Sequence, residues 1–269
     1  MTRAARPSLE ALEDRSLPSP LAPVTPWHYA NGGNFAHGAY SAPGDPGSAG
    51  FNLVDIDSPA ALAHVPAGCQ ALVVIDGVPG VTAEFIQTIT PYLGNPKVFG
   101  FYLADEPNPA LVSASNLKAE SDWIHANDPG AKTFIVLGAG PFLPFAPAYT
   151  PANTDVDLVG LDPYPTRTWG YDPRVLPLAL FTAEFCDGWS PDQIVPVYQA
   201  FGATGTFAVP TVLETEIDLA IWGLLVPHPA FDYTYSWGEA WGSQALVDLP
   251  ALQAVFQSHN AGTPPGAAG

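Results

Sequence analysis

The residues best suited to acid–base chemistry are two adjacent carboxylates, Asp105 and Glu106, at the end of an apolar run. Pro107 follows them directly and cannot donate to a strand ladder, so it ends the run and fixes the loop. Adjacent acids at the end of a buried strand lose solvent and repel each other, which favours the protonated form of one of them. A carboxyl group that keeps its proton near neutral pH can serve as a general acid. The alternative is a helix-capping pair, because Asp and Glu also favour helix starts.

Two further carboxylates stand where they could assist. Asp162 ends another apolar run just before a proline, and the alternative is a loop acid that accepts backbone hydrogen bonds. Glu239 lies between Trp237 and Trp241. Indole rings suit the apolar faces of sugar rings, and their N–H groups can form hydrogen bonds. The ordinary alternative for these tryptophans is a core position beside a glycine-rich loop.

Tyr164 and Asn31 are candidate ligand contacts. Tyr164 follows Asp162 closely and either stacks on a sugar or packs in the core. Asn31 belongs to a Gly-rich loop that could form one wall of a cleft, whereas His28 in the same segment favours a structural role. No second His or acid stands at helical ligand spacing from His28, so the sequence predicts no metal site there. No glycine-rich phosphate loop follows the first strand, and we expect no cofactor.

The elements that must position these residues alternate along the chain. Continuous apolar runs are typical of parallel strands that are buried on both faces, and helix-like stretches follow several of them. This alternation predicts an α/β fold, and polar residues after one strand end after another favour a single-domain (β/α)8 TIM barrel over an open doubly wound sheet. The predicted strands are 27–30, 51–56, 71–75, 98–103, 133–137, 156–161, 194–201 and 233–237. The predicted helices are 60–62, 82–92, 113–127, 177–185, 211–225 and 249–258.

The order of the motifs resembles that of clan A glycoside hydrolases, which are (β/α)8 enzymes. Counted from Trp27, the segment Phe-Tyr-Leu-Ala-Asp-Glu-Pro ends the fourth strand, where that clan carries Asn-Glu-Pro with the Glu as acid/base. The resemblance implies that Glu106 is the acid/base and that Asp105 replaces the Asn that contacts a sugar hydroxyl. It extends over roughly residues 27–257, with further segments similar to the sixth, seventh and eighth strands, and Trp237 matches a Trp that often forms a sugar platform.

One position departs from this pattern. The clan places a nucleophilic Glu at the end of the seventh strand, and the matching residue here is Gln199. An amide cannot form the glycosyl ester of a retaining mechanism. Three interpretations stay open: Asp162 or Glu239 acts as base or nucleophile, Gln199 orients substrate or water on an inverting route, or the barrel binds carbohydrate without cleaving it.

The amino-acid composition limits the classes of partner that we expect for this chain. The 269-residue chain carries 26 acidic residues against 8 Lys and Arg, a formal charge of −18. Such a field repels phosphate backbones and anionic lipid surfaces, so we expect a neutral carbohydrate ligand and no nucleic acid. No apolar run approaches the roughly 18 residues that a membrane helix needs. Oligomeric state leaves no trace in the sequence.

The ends of the chain read as tails around one barrel. We predict an N-terminal tail over residues 1–22, the barrel over 23–257 and a C-terminal tail over 258–269. Residues 9–19 resemble a LEALEDR-like motif found at the start of many envelope-directed or extracellular proteins of one bacterial phylum, which implies an extracellular or envelope location. Cys69 and Cys186 either form one disulfide or remain buried thiols.

Overall fold

Eight parallel strands close into a barrel, as the sequence predicts. The computed structural model describes residues 27–31, 46–75, 77–138, 148–202, 205–238 and 244–262. Around the barrel the strand order is β1-β10-β9-β6-β5-β4-β3-β2. Because β1 pairs with both β2 and β10, the sheet has no free edge and the open doubly wound alternative is excluded. The barrel strands are β1 (Trp27–Ala30), β2 (Leu53–Ile56), β3 (Gln70–Val74), β4 (Val98–Asp105), β5 (Lys132–Leu137), β6 (Leu158–Leu161), β9 (Ile194–Gln199) and β10 (Phe231–Tyr235).

The two remaining strands form a hairpin that the sequence did not predict. Strands β7 (Thr166–Arg167) and β8 (Gly170–Tyr171) pair antiparallel to each other. The hairpin follows the carboxyl end of β6, so it belongs to the face of the barrel where active sites are built. Consequently β9 and β10 are the seventh and eighth strands of the barrel.

In the described part of the chain, five of the seven α-helices begin at residues whose side chains cap them. The side chains of Ser58, Thr82, Ser113, Thr150 and Thr211 each accept a hydrogen bond from the third helical N–H. The four-residue helix α4 was not predicted, and α7 extends past residue 258, where the C-terminal tail was expected to begin. The helices are α1 (Pro59–Leu62), α2 (Ala83–Ile89), α3 (Ala114–Asn127), α4 (Pro151–Thr154), α5 (Val175–Phe181), α6 (Val212–Leu225) and α7 (Pro250–Asn260). In the part of the chain that the structure describes, no helix has the length and apolar character to cross a bilayer.

Alternate residues along the strands feed two separate cores. The interior of the barrel is filled by aromatic and branched aliphatic side chains, with Phe231 edge-on to Phe134 at a ring-centroid distance of 5.0 Å and to Tyr29 at 6.2 Å. The larger core lies between the strands and the helices. Because side chains fill the interior, catalytic groups are confined to the ends of the barrel.

Cys69 and Cys186 are not joined by a disulfide.

Strands β4 and β5 approach each other closely at Gly100. A Cβ at this position would overlap the backbone of Lys132, its register partner on β5. The register of β3 against β4 also shifts here, since Ala71 pairs with Val98 and Leu72 with Gly100. Gly100 is thus required by the spacing of the strand that carries Asp105.

Substitution of this glycine tests the predicted approach. We expect Gly100→Ala to lower the free energy of unfolding by about 1–3 kcal/mol, because overpacking forces backbone shifts. Gly130→Ala is the matched control, since a Cβ there meets nothing within 4 Å. Thermal unfolding followed by circular dichroism measures both variants. Equal melting temperatures for the two would contradict the close approach.

Candidate active site

The end of β4 presents Asp105 and Glu106 at the mouth of the barrel. The backbone N–H of Glu106 donates to the carbonyl of Val136 at 3.0 Å, so the segment stays paired with β5. Glu106 has a φ of 40°, a conformation that costs a non-glycine residue about 1–3 kcal/mol and that clusters at functional sites. Its carboxylate lies over Gly138, where a Cβ would come within 2.5 Å of Glu106 Oε1. A glycine at the end of β5 therefore makes room for this carboxylate.

Both acids are exposed, which differs from the sequence-based expectation of a desolvated pair. Since these side chains retain water, a low-dielectric environment at Glu106 has to come from a ligand that covers the mouth.

The charges of three carboxylates act on one phenol at the end of β10. Burial, together with the negative charges of Asp105, Glu106 and Asp162, raises the pKa of Tyr235 to about 12. The hydroxyl of Tyr235 therefore keeps its proton at neutral pH and can donate a hydrogen bond. Three of the four carboxylates that the sequence singled out are thus within electrostatic range of one side chain. The fourth, Glu239, lies outside the described residues, as does Trp241.

A layer of buried tyrosines forms the floor beneath these acids. The Tyr102 hydroxyl donates to Asp105 Oδ1 at 2.7 Å, and Asn31 Nδ2 donates to the Tyr233 hydroxyl at 3.2 Å. Burial raises the pKa of both Tyr102 and Tyr233 well above its usual value, and the charge of Asp105 adds to the effect in both. The floor thus holds neutral hydroxyl groups that orient Asp105 and Asn31.

Two adjoining cavities lie beside this site. The mouth cavity, of about 390 Å³, is lined by Asn31, Tyr102, Asp105 and Pro107 among others. The rim cavity, of about 620 Å³, is lined by Asp57 and Glu84 among others. They share a wall made of Val74, Ile75, Gly77, Val78 and Val112. Both volumes fall in the range of small-ligand sites, and Asn31 lines the mouth cavity.

Helix α3 holds the loop that separates the cavities from the helix layer. Asn116 Nδ2 donates to the Val78 carbonyl at 3.0 Å, and the Gly80 N–H donates to Glu120 Oε1 at 2.9 Å. Glu120 is fully buried. Its burial raises the pKa of the carboxyl to about 7, although the hydrogen bond from Gly80 opposes the shift. The buried acid Glu120 therefore helps to hold in place the loop that forms the wall of both cavities.

Asp162 and Tyr164 follow β6, which β5 separates from β4. Asp162 is buried, and its charge acts on both Tyr164 and Arg167. The ring of Tyr164 is half-buried and lies edge-on to Phe201 at 5.1 Å and to Phe207 at 5.6 Å. Tyr164 is therefore part of an aromatic cluster that includes Tyr235, whose ring centroid lies 6.1 Å away.

Gln199 has a structural position at the end of β9. The side chain is buried, and its Oε1 accepts from the Thr166 N–H at 2.9 Å. Its Nε2 faces the carbonyls of Thr166 at 2.9 Å, Ala208 at 2.9 Å and Phe201 at 3.2 Å. The amide therefore fastens the hairpin to the loop that follows β9. In this geometry the amide group is bonded to the backbone, whereas the sequence led us to expect a contact with substrate.

Trp237 does not form a platform at the mouth, and that prediction is wrong. Its indole is 4% exposed and packs edge-on against Phe51 at 5.9 Å, in the core between strands and helices. The backbone N–H of Trp237 donates to the Asn31 carbonyl at 2.7 Å, which ties the end of β10 to the end of β1. Its role is therefore to close the barrel.

An exposed aromatic residue that the sequence did not single out lies on the same face of the barrel. Trp169 is 74% exposed in the turn between β7 and β8. The hairpin is braced by the Tyr171 hydroxyl, which donates to Asp218 on α6 at 2.7 Å, and by the Thr168 N–H, which donates to the Thr206 carbonyl at 3.0 Å. The sequence feature that could have indicated this exposed residue is the pair Trp169-Gly170 within a polar loop.

Solved structures with the same fold are glycoside hydrolases and a related inhibitor. A chitinase, ChiC, from Aspergillus fumigatus is 14% identical, with a TM-score of 0.55 over 86% of this chain and 99% of that chain. A chitinase from Bacteroides thetaiotaomicron is 8% identical, with a TM-score of 0.55 over 88% and 98%. The xylanase and α-amylase inhibitor protein XAIP-I, in complex with trehalose, is 9% identical, with a TM-score of 0.57 over 90% and 100%.

At these identities the likeness shows the fold alone, and it confirms the predicted (β/α)8 barrel. No protein-family model matches the chain, and no curated protein sequence matches it.

The commitment of Gln199 to backbone carbonyls can be tested by a substitution that restores the expected acid. We expect Gln199→Glu to lower stability by about 3–5 kcal/mol, because a buried carboxylate would face three carbonyl oxygens without a compensating charge. Gln87→Glu adds the same charge on the exposed face of α2 and serves as control. Chemical denaturation measures both. A Gln199→Glu protein as stable as the control would contradict the structural role.

The buried Glu120 predicts a pH-dependent stability. Its folded pKa of about 7 exceeds the ordinary value of 4.5, so the folded state binds more protons than the unfolded state between these limits. The associated stability is present below pH 4.5 and is lost as the pH rises to about 7, by on the order of 3 kcal/mol.

Glu120→Gln removes this titration. We therefore expect the difference in melting temperature between Glu120→Gln and wild type to shift in favour of the variant as the pH rises from 4.5 to 8. The exposed Glu84→Gln is the control. A difference in melting temperature between Glu120→Gln and wild type that does not change with pH would contradict the assignment.

Proposed function

We propose that the protein hydrolyses glycosidic bonds of a neutral oligo- or polysaccharide, with Glu106 as the general acid. The observation that supports this most directly is that the charges of Asp105, Glu106 and Asp162 all act on Tyr235, and that Asp105 lines the mouth cavity. Paired carboxyl groups flanking a bound sugar are the usual apparatus of glycoside hydrolysis. The chitinases of similar fold make chitin oligosaccharides the first substrates to test.

In the proposed reaction the four groups have separate roles. Glu106 protonates the leaving glycosidic oxygen as the bond to the anomeric carbon breaks. Asp162 accepts a proton from the water whose oxygen forms the new bond to that carbon, so that one water is consumed for each bond cleaved. Asp105, held by Tyr102, accepts a hydrogen bond from a sugar hydroxyl. Tyr235 donates a hydrogen bond to the substrate.

The amide side chain of Gln199 limits the catalytic mechanisms that the site can follow. A retaining mechanism through a carboxylate at the end of β9 is excluded, because Gln199 carries no carboxylate and is bonded to the backbone. An inverting route through water uses Asp162 as base. A substrate-assisted route, in which a group of the substrate attacks, needs no protein nucleophile. We propose the inverting route, for which the first product formed has the opposite anomeric configuration.

The second candidate is a barrel that binds carbohydrate without cleaving it. Two observations favour it: the amide at the end of β9, and the exposure of both acids at the end of β4. XAIP-I supports it as a barrel of similar fold that is described as an inhibitor and holds trehalose. The extracellular or envelope location expected from residues 9–19 would suit either function.

Substitution of the proposed acid separates the two candidates. We expect Glu106→Gln to lower kcat on chitin oligosaccharides or another cleaved glycan by about 10²–10⁴-fold, because general acid catalysis contributes that much. Binding measured by calorimetry should change little. Asp192→Asn, which alters an exposed acid before the amino end of β9, is the control and should keep full activity.

Three outcomes of these measurements distinguish the hydrolase from the binding protein or contradict both. Full turnover in Glu106→Gln contradicts its role as the acid. Binding of a glycan by wild type, with no product after long incubation, replaces the hydrolase with the binding protein. Neither binding nor hydrolysis across a broad panel contradicts both.

A further inference from the structure

Two histidines and an aspartate meet outside the barrel, near the amino ends of β1 and β10. His28 on β1 and Asp232 on β10 are partners in register. Their neighbours Tyr29 and Tyr233 point into the barrel, so His28 and Asp232 point outward to the helix layer. His259, in the last turn of α7, completes the group. Since the mouth is at the other end of these strands, the cluster is separate from the candidate active site.

The donor atoms of the cluster lie within reach of one ion. His28 Nδ1 is 2.9 Å from Asp232 Oδ1, His259 Nε2 is 2.7 Å from Asp232 Oδ2, and one donor atom from each residue lies within 4.8 Å of the others. The imidazole rings meet edge to face at a centroid distance of 5.4 Å. Ligand bonds of about 2.0–2.1 Å in a tetrahedron separate the donors by about 3.4 Å, so small side-chain adjustments accommodate an ion.

The buried carboxylate of Asp232 needs a positive charge beside it. The side chains of His28 and Asp232 are 4% and 7% exposed. In the part of the chain that the structure describes, no Lys or Arg pairs with Asp232, and its ion-pair partners are the two imidazoles. A buried carboxylate is costly unless a cation compensates it. Either a proton on an imidazole or a metal ion can supply that charge.

Both rings already turn one nitrogen towards the carboxylate of Asp232, His28 through Nδ1 and His259 through Nε2. The His259 ring is 25% exposed, so an ion can reach the cluster from that side. A divalent ion among these donor atoms binds both rings and the carboxylate at once, and neutral imidazole is the form that ligates metal.

We propose that His28, Asp232 and His259 bind one Zn²⁺ ion, which joins β1, β10 and α7 where the barrel closes. Two imidazole nitrogens and one carboxylate oxygen form a ligand set typical of zinc, whereas Ca²⁺ and Mg²⁺ prefer oxygen alone. The exposed side of His259 admits the ion and a water as fourth ligand. The role is structural, because the ion links residues at opposite ends of the chain.

Zinc binding to the tag-free, full-length chain tests the proposal. After dialysis against a chelator, we expect calorimetry with ZnCl₂ to give one ion per chain at micromolar or lower Kd, and the melting temperature to rise by several degrees. His259→Gln should weaken the affinity at least tenfold and abolish the thermal shift. Its amide can still donate to Asp232, so the fold is retained.

His125→Gln is the matched control. His125 Nε2 lies 2.8 Å from Asp157 Oδ2, but this pair includes one imidazole and has Lys132 beside it, so it should not bind zinc. The control should keep both the stoichiometry and the thermal shift. Absence of stoichiometric zinc in wild type overturns the proposal and leaves a hydrogen-bonded His–Asp–His cluster. Equal zinc affinities for the two variants overturn it as well. Should His259→Gln fail to fold, Asp232→Asn replaces it with the same expected loss.

Discussion

Closure of the barrel at β1 is the constraint on which the rest of the molecule depends. This strand has four residues, and it pairs with β10 over four positions but with β2 over two, Tyr29 with Leu53 and Ala30 with Val54. So short a strand needs support on both faces. On the inside, the ring of Tyr29 lies 4.5 Å from that of Tyr233. On the outside, His28 reaches Asp232 and, through it, α7. Closure depends on these contacts because the backbone pairing alone is short.

Closure also creates the candidate site, because it brings the carboxyl ends of all eight strands to one rim. The interior beneath that rim is filled with tyrosines whose hydroxyl groups stay neutral, and Tyr102 orients Asp105 from below. The acids above them come from β4 and from the loop after β6, on strands separated by β5. Tyr235, from β10, is the group on which their charges converge. A fold that failed to close would separate these groups, whatever the local conformation of each strand.

Local sequence was sufficient for the strands, for most helices and for the position of Asp105 and Glu106. Buried parallel strands are continuous apolar runs, and the polar residues that end them mark the rim. The role of Gln199 could not be predicted, since its partners lie in the hairpin at Thr166 and in the loop at Ala208. The burial of Trp237 depends on how the chain leaves β10, and a match to a motif does not specify that direction.

The His28–Asp232–His259 cluster was missed for a related reason. Local spacing around His28 indicates no ligand set, yet Asp232 lies 204 residues away in sequence and becomes its neighbour through closure. Trp169 was overlooked because the hairpin that exposes it is only two residues per strand. Strong local patterns therefore revealed the scaffold, whereas groups assembled from distant parts of the chain required the structure.

We propose that the barrel mouth near Tyr235 holds a carbohydrate against Glu106. A crystal structure of Glu106→Gln soaked with an oligosaccharide would reveal where the sugar binds. We expect a sugar in the mouth cavity, with a glycosidic oxygen at hydrogen-bond distance, about 3 Å, from the side chain of residue 106. A sugar bound elsewhere, with the mouth empty of ligand, would contradict it.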